Sequence, residues 1–415
     1  MLAAASGFAA VTAATGQPTG EVPLIPREAL FGNPQKAGAE ISPDGKWLSW
    51  IAPRDGVLNI WAAPASNPAA AKPLTAEKKR PIRQYFWAPD GRTILYINDK
   101  GGDENFLLYG VDVETGAEKL LTPFEKTRVR IHGVSPLVPD RILIGVNNRD
   151  PKWHDVHSLD LATGKLTPVL INTGEYSGFL ADQKLVVRGA LKSRPDGGND
   201  YFRVVDNKVD AEPSEQIGLE DSLTTQPAGY TSDGKTLYWI DSRGRNTAAL
   251  IAQDTATGAK PVIAESPKAD IGGAISHPRT GEVEAYAINY LRNEWTPVGN
   301  SIRDDLAFLQ GRLKGEVSVT SRTLADDKWT VVASAASQPS STYLYDRKSK
   351  SLTKLFDSRP NLAGAPLVEM LPVEIKSRDG MNLVSYLTLR YGSDPDADGR
   401  PNRPVPMVLL VHGGP

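Results

Sequence analysis

The 415-residue chain contains no cysteine, which excludes disulfides, thiolate metal sites and thiol nucleophiles together. Charge of either sign is not in excess: 47 basic residues face 49 acidic ones, for a formal net charge of −2. That leaves neither the basic footprint of a nucleic-acid binder nor a polybasic patch for a membrane surface. No apolar run reaches the ~18 residues that a spanning helix needs. Helical periodicity is scarce, and its best short stretch, Ser301 to Gln310, reads equally well as a loop between strands. A Gly-x-Ser-x-Gly nucleophile motif is also missing, since GNSIR at Gly299 lacks the second glycine. What remains, 40% hydrophobic and 23% charged residues, is the composition of a soluble globular protein long enough for two or three domains.

The first twenty residues are small and apolar, with no Lys or Arg before Arg27. They read as a signal-type leader without a basic n-region, the bland alternative being a loose alanine-rich tail. The signal reading predicts a periplasmic or secreted protein, and the bland one a cytoplasmic protein. Either way residues 1–20 stand outside the fold.

Repetition is what the sequence has in abundance. ISPDGKWLSWIA at Ile41 returns as WAPDGRTILYIN at Trp87 and YTSDGKTLYWID at Tyr230, with four more degenerate copies. Aligned on Asp44, Asp90, Leu137, Asp182, Asp233, Arg279 and Asp326, the copies are spaced by 46, 47, 45, 51, 46 and 47 residues. A steady period of this size in a strand-rich chain is the mark of a propeller. Within each unit a Pro-Asp-Gly-type turn opens an apolar strand. A second strand follows and ends in DVETG, DLATG or DTATG, and a last strand follows that. Three readable strands and a connecting one predict a four-stranded blade. The expectation is an all-β seven-bladed β-propeller over residues 31–360.

Past residue 360 the pattern changes. VEIKSRDGMNLVSYLTL, Val373 to Leu389, reads as two strands about an Arg378–Gly380 turn. A polar loop follows, then the apolar run Met407–Val411, which reads as a strand covered on both faces. A second domain is therefore expected over residues 368–415.

The order propeller, SRDG hairpin, loop, apolar strand and HGGP resembles the prolyl oligopeptidase family of serine peptidases, closest to its acylaminoacyl-peptidase and dipeptidyl-peptidase-5-like branch. GGDENFLLY, Gly101 to Tyr109, and RDPKWHDVHSLDLATGKL, Arg149 to Leu166, also resemble that branch. The resemblance implies that residues 368–415 are the first strands of a truncated α/β-hydrolase domain. It implies hydrolysis of short peptides by Ser-His-Asp acyl transfer, with the triad beyond the end of the chain and the fragment alone inactive. By the same resemblance Gly414 N–H is an oxyanion-hole donor, flanked by Gly413, and His412 stands where members of the family carry a Tyr whose hydroxyl donates to the oxyanion. The implied partner is a short peptide. No metal or organic cofactor, nucleic acid or membrane is implied, and a homo-oligomer is compatible. Some members hold the substrate's amino terminus with paired glutamates, and no Glu-Glu pair occurs here.

Other candidates are weaker. His154 and His157 fall on a strand, where their spacing sends them to opposite faces, and His132 and His277 read as turn or surface residues. DPDADG, Asp394 to Gly399, mimics the start of a calcium loop, but its twelfth position is Val405 rather than Glu. RNEW, Arg292 to Trp295, offers a charge to the propeller cavity or sits in a solvated loop. The competing functional class is a non-catalytic β-propeller that binds a protein or glycan partner.

Overall fold

Each repeat folds around its turn. In the computed structural model, which describes residues 22–411, Ser42 donates to Asp44 Oδ1 (2.7 Å) and accepts the Trp47 amide (2.9 Å). Gly45 closes this turn at φ +74°, a conformation that costs a residue with a Cβ. The DxxTG turns work alike: Asp112 accepts the amides of Glu114 and Thr115 (3.0 and 2.8 Å), and Asp160 and Asp254 do the same for Thr163 and Thr257. Side-chain carboxylates thus take up backbone donors that the sheet ladder leaves free.

Among the described residues these turns link seven antiparallel blades, the first starting at Ala37 and the last ending at Asp357. Blade 1 runs Ala37–Ile41, Trp47–Arg54, Val57–Pro64 and Lys72–Pro73 from the axis outward, with Trp50 opposite Trp61 and Ile51 opposite Ile60. Because neighbouring strands alternate in direction, the PDG-type and DxxTG turns share one face of the disc. The loops between second and third strands, and the linkers between blades, share the other.

Each blade is apolar on both sides and buries both against its neighbours. Seven clusters of buried side chains fill the seven interfaces, for example Ile60, Ile82, Trp87 and Tyr96 between blades 1 and 2. The ring closes without exchange of a strand. Ile41 N–H donates to Ser321 Oγ (2.7 Å), Leu324 N–H to Pro43 O (2.8 Å), and Trp50 packs in one cluster with Leu344 and Phe356.

Several expectations need correction. Blade 6 has three strands, Ile271–Ser276, Val283–Asn289 and Asn293–Pro297. The segment due to supply its fourth forms the helix Arg303–Arg312 instead. Asp304 and Asp305 in its first turn and Arg312 in its last suit the helix dipole. Leu306 and Leu309, one helical turn apart, plug the interface with blade 7. The turn register also shifts at two blades. Leu185 (φ +59°) and Asp326 (φ +55°) occupy the left-handed place that Gly45 fills in blade 1, so Asp182 matches Ser42 rather than Asp44.

After the propeller, Met370–Lys376 and Asn382–Thr388 pair as a hairpin, but no α/β-hydrolase sheet is formed among the described residues. Met407–Val411 is not a buried strand: it pairs with no strand among the described residues, and Leu410 is 91% exposed. A run of this kind becomes a strand only with neighbours at both edges, and none of the described strands lies beside it.

Candidate functional site

The innermost strands face the axis with every second residue. In Ala37–Ile41, Ala39 and Ile41 are buried in the blade, which leaves Gly38 and Glu40 to the channel. In Tyr85–Trp87, Tyr85 and Trp87 are buried and Phe86 faces inward. Blade 6 contributes only small side chains to the wall, with Gly272, Ala274 and Ser276 exposed. The wall is therefore uneven, and on blades 1 to 3 it brings charged and apolar side chains together.

There a cavity of about 550 Å³ begins at the linker into blade 2 and runs along the inner strands to Val134. Its apolar lining is Ile51, Phe86, Ile97, Ile131 and Val134, and its charged residues are Glu40 and Arg83. Burial drives the Glu40 carboxyl up, the Trp87 backbone amide pulls the other way more weakly, and the result is about 8. At neutral pH Glu40 is thus mostly an uncharged acid. Tyr85 does not serve it, because its hydroxyl donates to Gly38 O (2.6 Å). Arg83 is exposed and has no ion-pair partner among the described residues. Arg130, farther along blade 3, donates to Ser177 O (2.7 Å).

The hairpin docks on the same face at which this cavity begins. Arg292 donates to Met370 O (2.6 Å), and Tyr386 hydroxyl donates to Leu291 O (3.2 Å). Glu369 takes Lys314 (2.8 Å) and the Ser337 hydroxyl (2.6 Å). These contacts pin the chain to the loops of blades 6 and 7 as it leaves the propeller.

The residues singled out from sequence fare unequally. His412, Gly413 and Gly414 lie outside the described residues, as do residues 1–20, which the sequence reads as a signal-type leader. Arg292 of RNEW serves the hairpin, while Glu294 is exposed beside it. His154 is buried on Trp153–Asp160 and His157 is half-buried on the other side. His277 sits in a turn and accepts the Thr280 amide (3.1 Å). His132 is neither turn nor surface. It lies one residue before the end of the inner strand Val129–Gly133 with its ring edge-on to Phe179, and its Nε2 and that of His154 are buried without partners. Burial leads the causes that lower both rings to about 4. The space for His132 comes from Gly145 on the next strand, where a Cβ would stand 2.4 Å from Nε2. The carboxylates of Asp394, Asp396 and Asp398 come within 4.8 Å of one another, and Asp394 already accepts the amides of Asp398 and Gly399 (3.1 and 3.0 Å).

Sequence reasoning missed Glu40 and Arg83. The one available signal was position: Glu40 lies two residues before Ser42, in the connecting strand that proves to be the innermost.

No family model matches the chain. Dipeptidyl aminopeptidase BIII from Pseudoxanthomonas mexicana is 52% identical over 392 residues, covering 94% of this chain and 57% of that protein. Dipeptidyl peptidase family member 6 from Caenorhabditis elegans is 28% identical, covering 96% of this chain and 57% of its own length. Among solved structures, prolyl oligopeptidase B from Galerina marginata superposes with a TM-score of 0.59 at 11% identity, over 88% of this chain and 56% of that one. The chain therefore spans a little over half the length of the relatives it matches.

Proposed function

We propose that this chain, a member of the prolyl oligopeptidase family of serine peptidases, is the propeller that gates a catalytic domain cleaving short peptides. The observation that carries this reading is the high identity to a dipeptidyl aminopeptidase along almost the whole chain. In the whole protein, residues 368–415 open the catalytic domain. Its serine attacks the scissile carbonyl, its histidine takes the proton, and its aspartate orients the histidine. The Gly414 N–H, beside Gly413 and His412, holds the developing oxyanion. The triad belongs to the part of the relatives' length that this chain does not span. Docking of the hairpin on the channel-mouth face supports a catalytic domain lying over that mouth, so that only short peptides reach it. The leader, residues 1–20, supports placing the enzyme in the periplasm or outside the cell.

A fluorophosphonate probe tests the reading. The whole gene product is expected to be labelled at one serine beyond residue 415, and the 415-residue chain to stay unlabelled. A whole product that resists labelling would favour the non-catalytic binding module. Labelling within residues 1–415 would place the nucleophile where no motif supports one.

A further inference from the structure

The channel cavity has a chemistry of its own, apart from any peptide bond being cut. Its apolar lining of Ile51, Phe86, Ile97, Ile131 and Val134 shares the cavity with an uncharged acid, Glu40, and a free guanidinium, Arg83. At neutral pH the standing charge of the cavity is the positive one of Arg83, because the wall keeps Glu40 protonated. A cationic ligand would meet Arg83 and would have to strip the proton from Glu40. An apolar anion meets neither cost.

From this we infer that the cavity binds the carboxyl-terminal end of a short apolar peptide: Arg83 pairs with the carboxylate, Glu40 donates its O–H to a peptide carbonyl, and the apolar wall takes the side chains. The volume of about 550 Å³ fits a ligand of two or three residues. A guanidinium is the side chain best suited to a carboxylate. A protonated carboxyl that lines a cavity is a hydrogen-bond donor that a peptide carbonyl can accept from. The peptide is favoured over a plain fatty acid because only the peptide gives Glu40 something to donate to.

The groups packed around Glu40 leave its proton to govern the site. Tyr85 spends its hydroxyl on Gly38 O. From blade 7 come neutral hydroxyls, Thr320 bonding Ala39 O (3.3 Å) and Ser321 accepting Ile41 N–H. Arg83 lines the same cavity. Once Glu40 ionises it can no longer donate, and it repels an anion. With the carboxyl titrating at about 8, the competent fraction falls about tenfold between pH 7 and pH 9, and affinity falls with it.

Calorimetry with the chain and N-acetyl-leucyl-leucine tests this. Binding is read as heat rather than turnover, so the outcome is independent of whether the whole protein is a peptidase. The expected result is saturable binding at pH 7, about tenfold weaker at pH 9, with Glu40→Gln removing the pH dependence. N-acetyl-leucyl-leucinamide, which lacks the carboxylate, should bind about fivefold more weakly. Arg83→Met should erase that difference between acid and amide, and as an exposed position it leaves the fold intact. Octanoate should bind more weakly than the peptide. The inference is overturned if the amide binds as well as the acid, if octanoate matches the peptide regardless of residue 40, or if no heat is seen at millimolar peptide. Tighter binding of the cationic leucyl-leucinamide, with release of a proton at pH 7, would reverse the polarity proposed and overturn it equally.

Discussion

Replacing Asp326 by alanine should loosen the seam between blades 6 and 7 more than any ordinary turn substitution. Its carboxylate is 9% exposed and takes Arg322 through two nitrogens (both 2.6 Å), Arg347, and the Trp329 indole N–H (2.7 Å). Arg322 and Arg347 lie over the Trp329 ring, 4.8 and 4.9 Å from its centroid. The charges balance, with Arg322, Arg347 and Lys350 against Glu284, Asp326 and Asp305. Alanine leaves one positive charge in excess beside a buried indole N–H with no acceptor. Breaking a buried pair from one side costs about 3–5 kcal/mol, and an Ala at φ +55° adds about 1 kcal/mol of backbone strain. A loss of about 4–6 kcal/mol is expected. Asp326→Asn keeps an acceptor for Trp329 and tolerates the left-handed backbone, so it should lose about half as much. Urea unfolding followed by tryptophan fluorescence measures both, with limited proteolysis of Arg303–Arg312 reporting whether the seam opens first. A loss below about 1 kcal/mol for alanine, or equal losses for the two variants, would refute the view that the charge network holds this interface.

Three further outcomes follow from the site. Glu40 titrates near 8 in the fold, above its usual range, so the folded chain binds more protons than the unfolded one between about pH 4.5 and 8 and loses stability as pH rises through that window. Glu40→Gln should therefore stabilise the chain above neutral pH by on the order of 2 kcal/mol and flatten the curve, and a loss at pH 8 would contradict this. His132 and His154 are held near 4, below their usual value, so stability they permit at neutral pH should drain away as pH falls from about 6.5 to 4. Thermal melts of His132→Leu should show a shallower acid limb than the parent. Gly145→Ala, which would usually favour a strand, should instead destabilise by about 1–3 kcal/mol because the new Cβ strikes His132, and His132→Ala in the same chain should recover most of it.

The seven-fold period was legible because the turns carry their own chemistry: a carboxylate accepting the backbone amide two residues on looks alike at Asp44, Asp90 and Asp233. The helix of blade 6 was hard to see because its ten residues show little periodicity, and only the packing of Leu306 and Leu309 against blade 7 decides its state. Turn register slipped at blades 4 and 7, where Leu185 and Asp326 stand in for glycine and erase the landmark. Met407–Val411 was read from its own apolar character, but pairing is a property of neighbours. Glu40 and Arg83 come from different repeats, 43 residues apart, and line one cavity only when blades 1 and 2 pack, so no local pattern could join them.

Peptide turnover by the whole gene product tests the proposal that this propeller belongs to a short-peptide hydrolase. Alanyl-alanyl-p-nitroanilide, supplied with the product before and after fluorophosphonate treatment, should release p-nitroaniline only before it. Release that survives treatment, or no release from this or longer peptides by a folded product, would contradict the account.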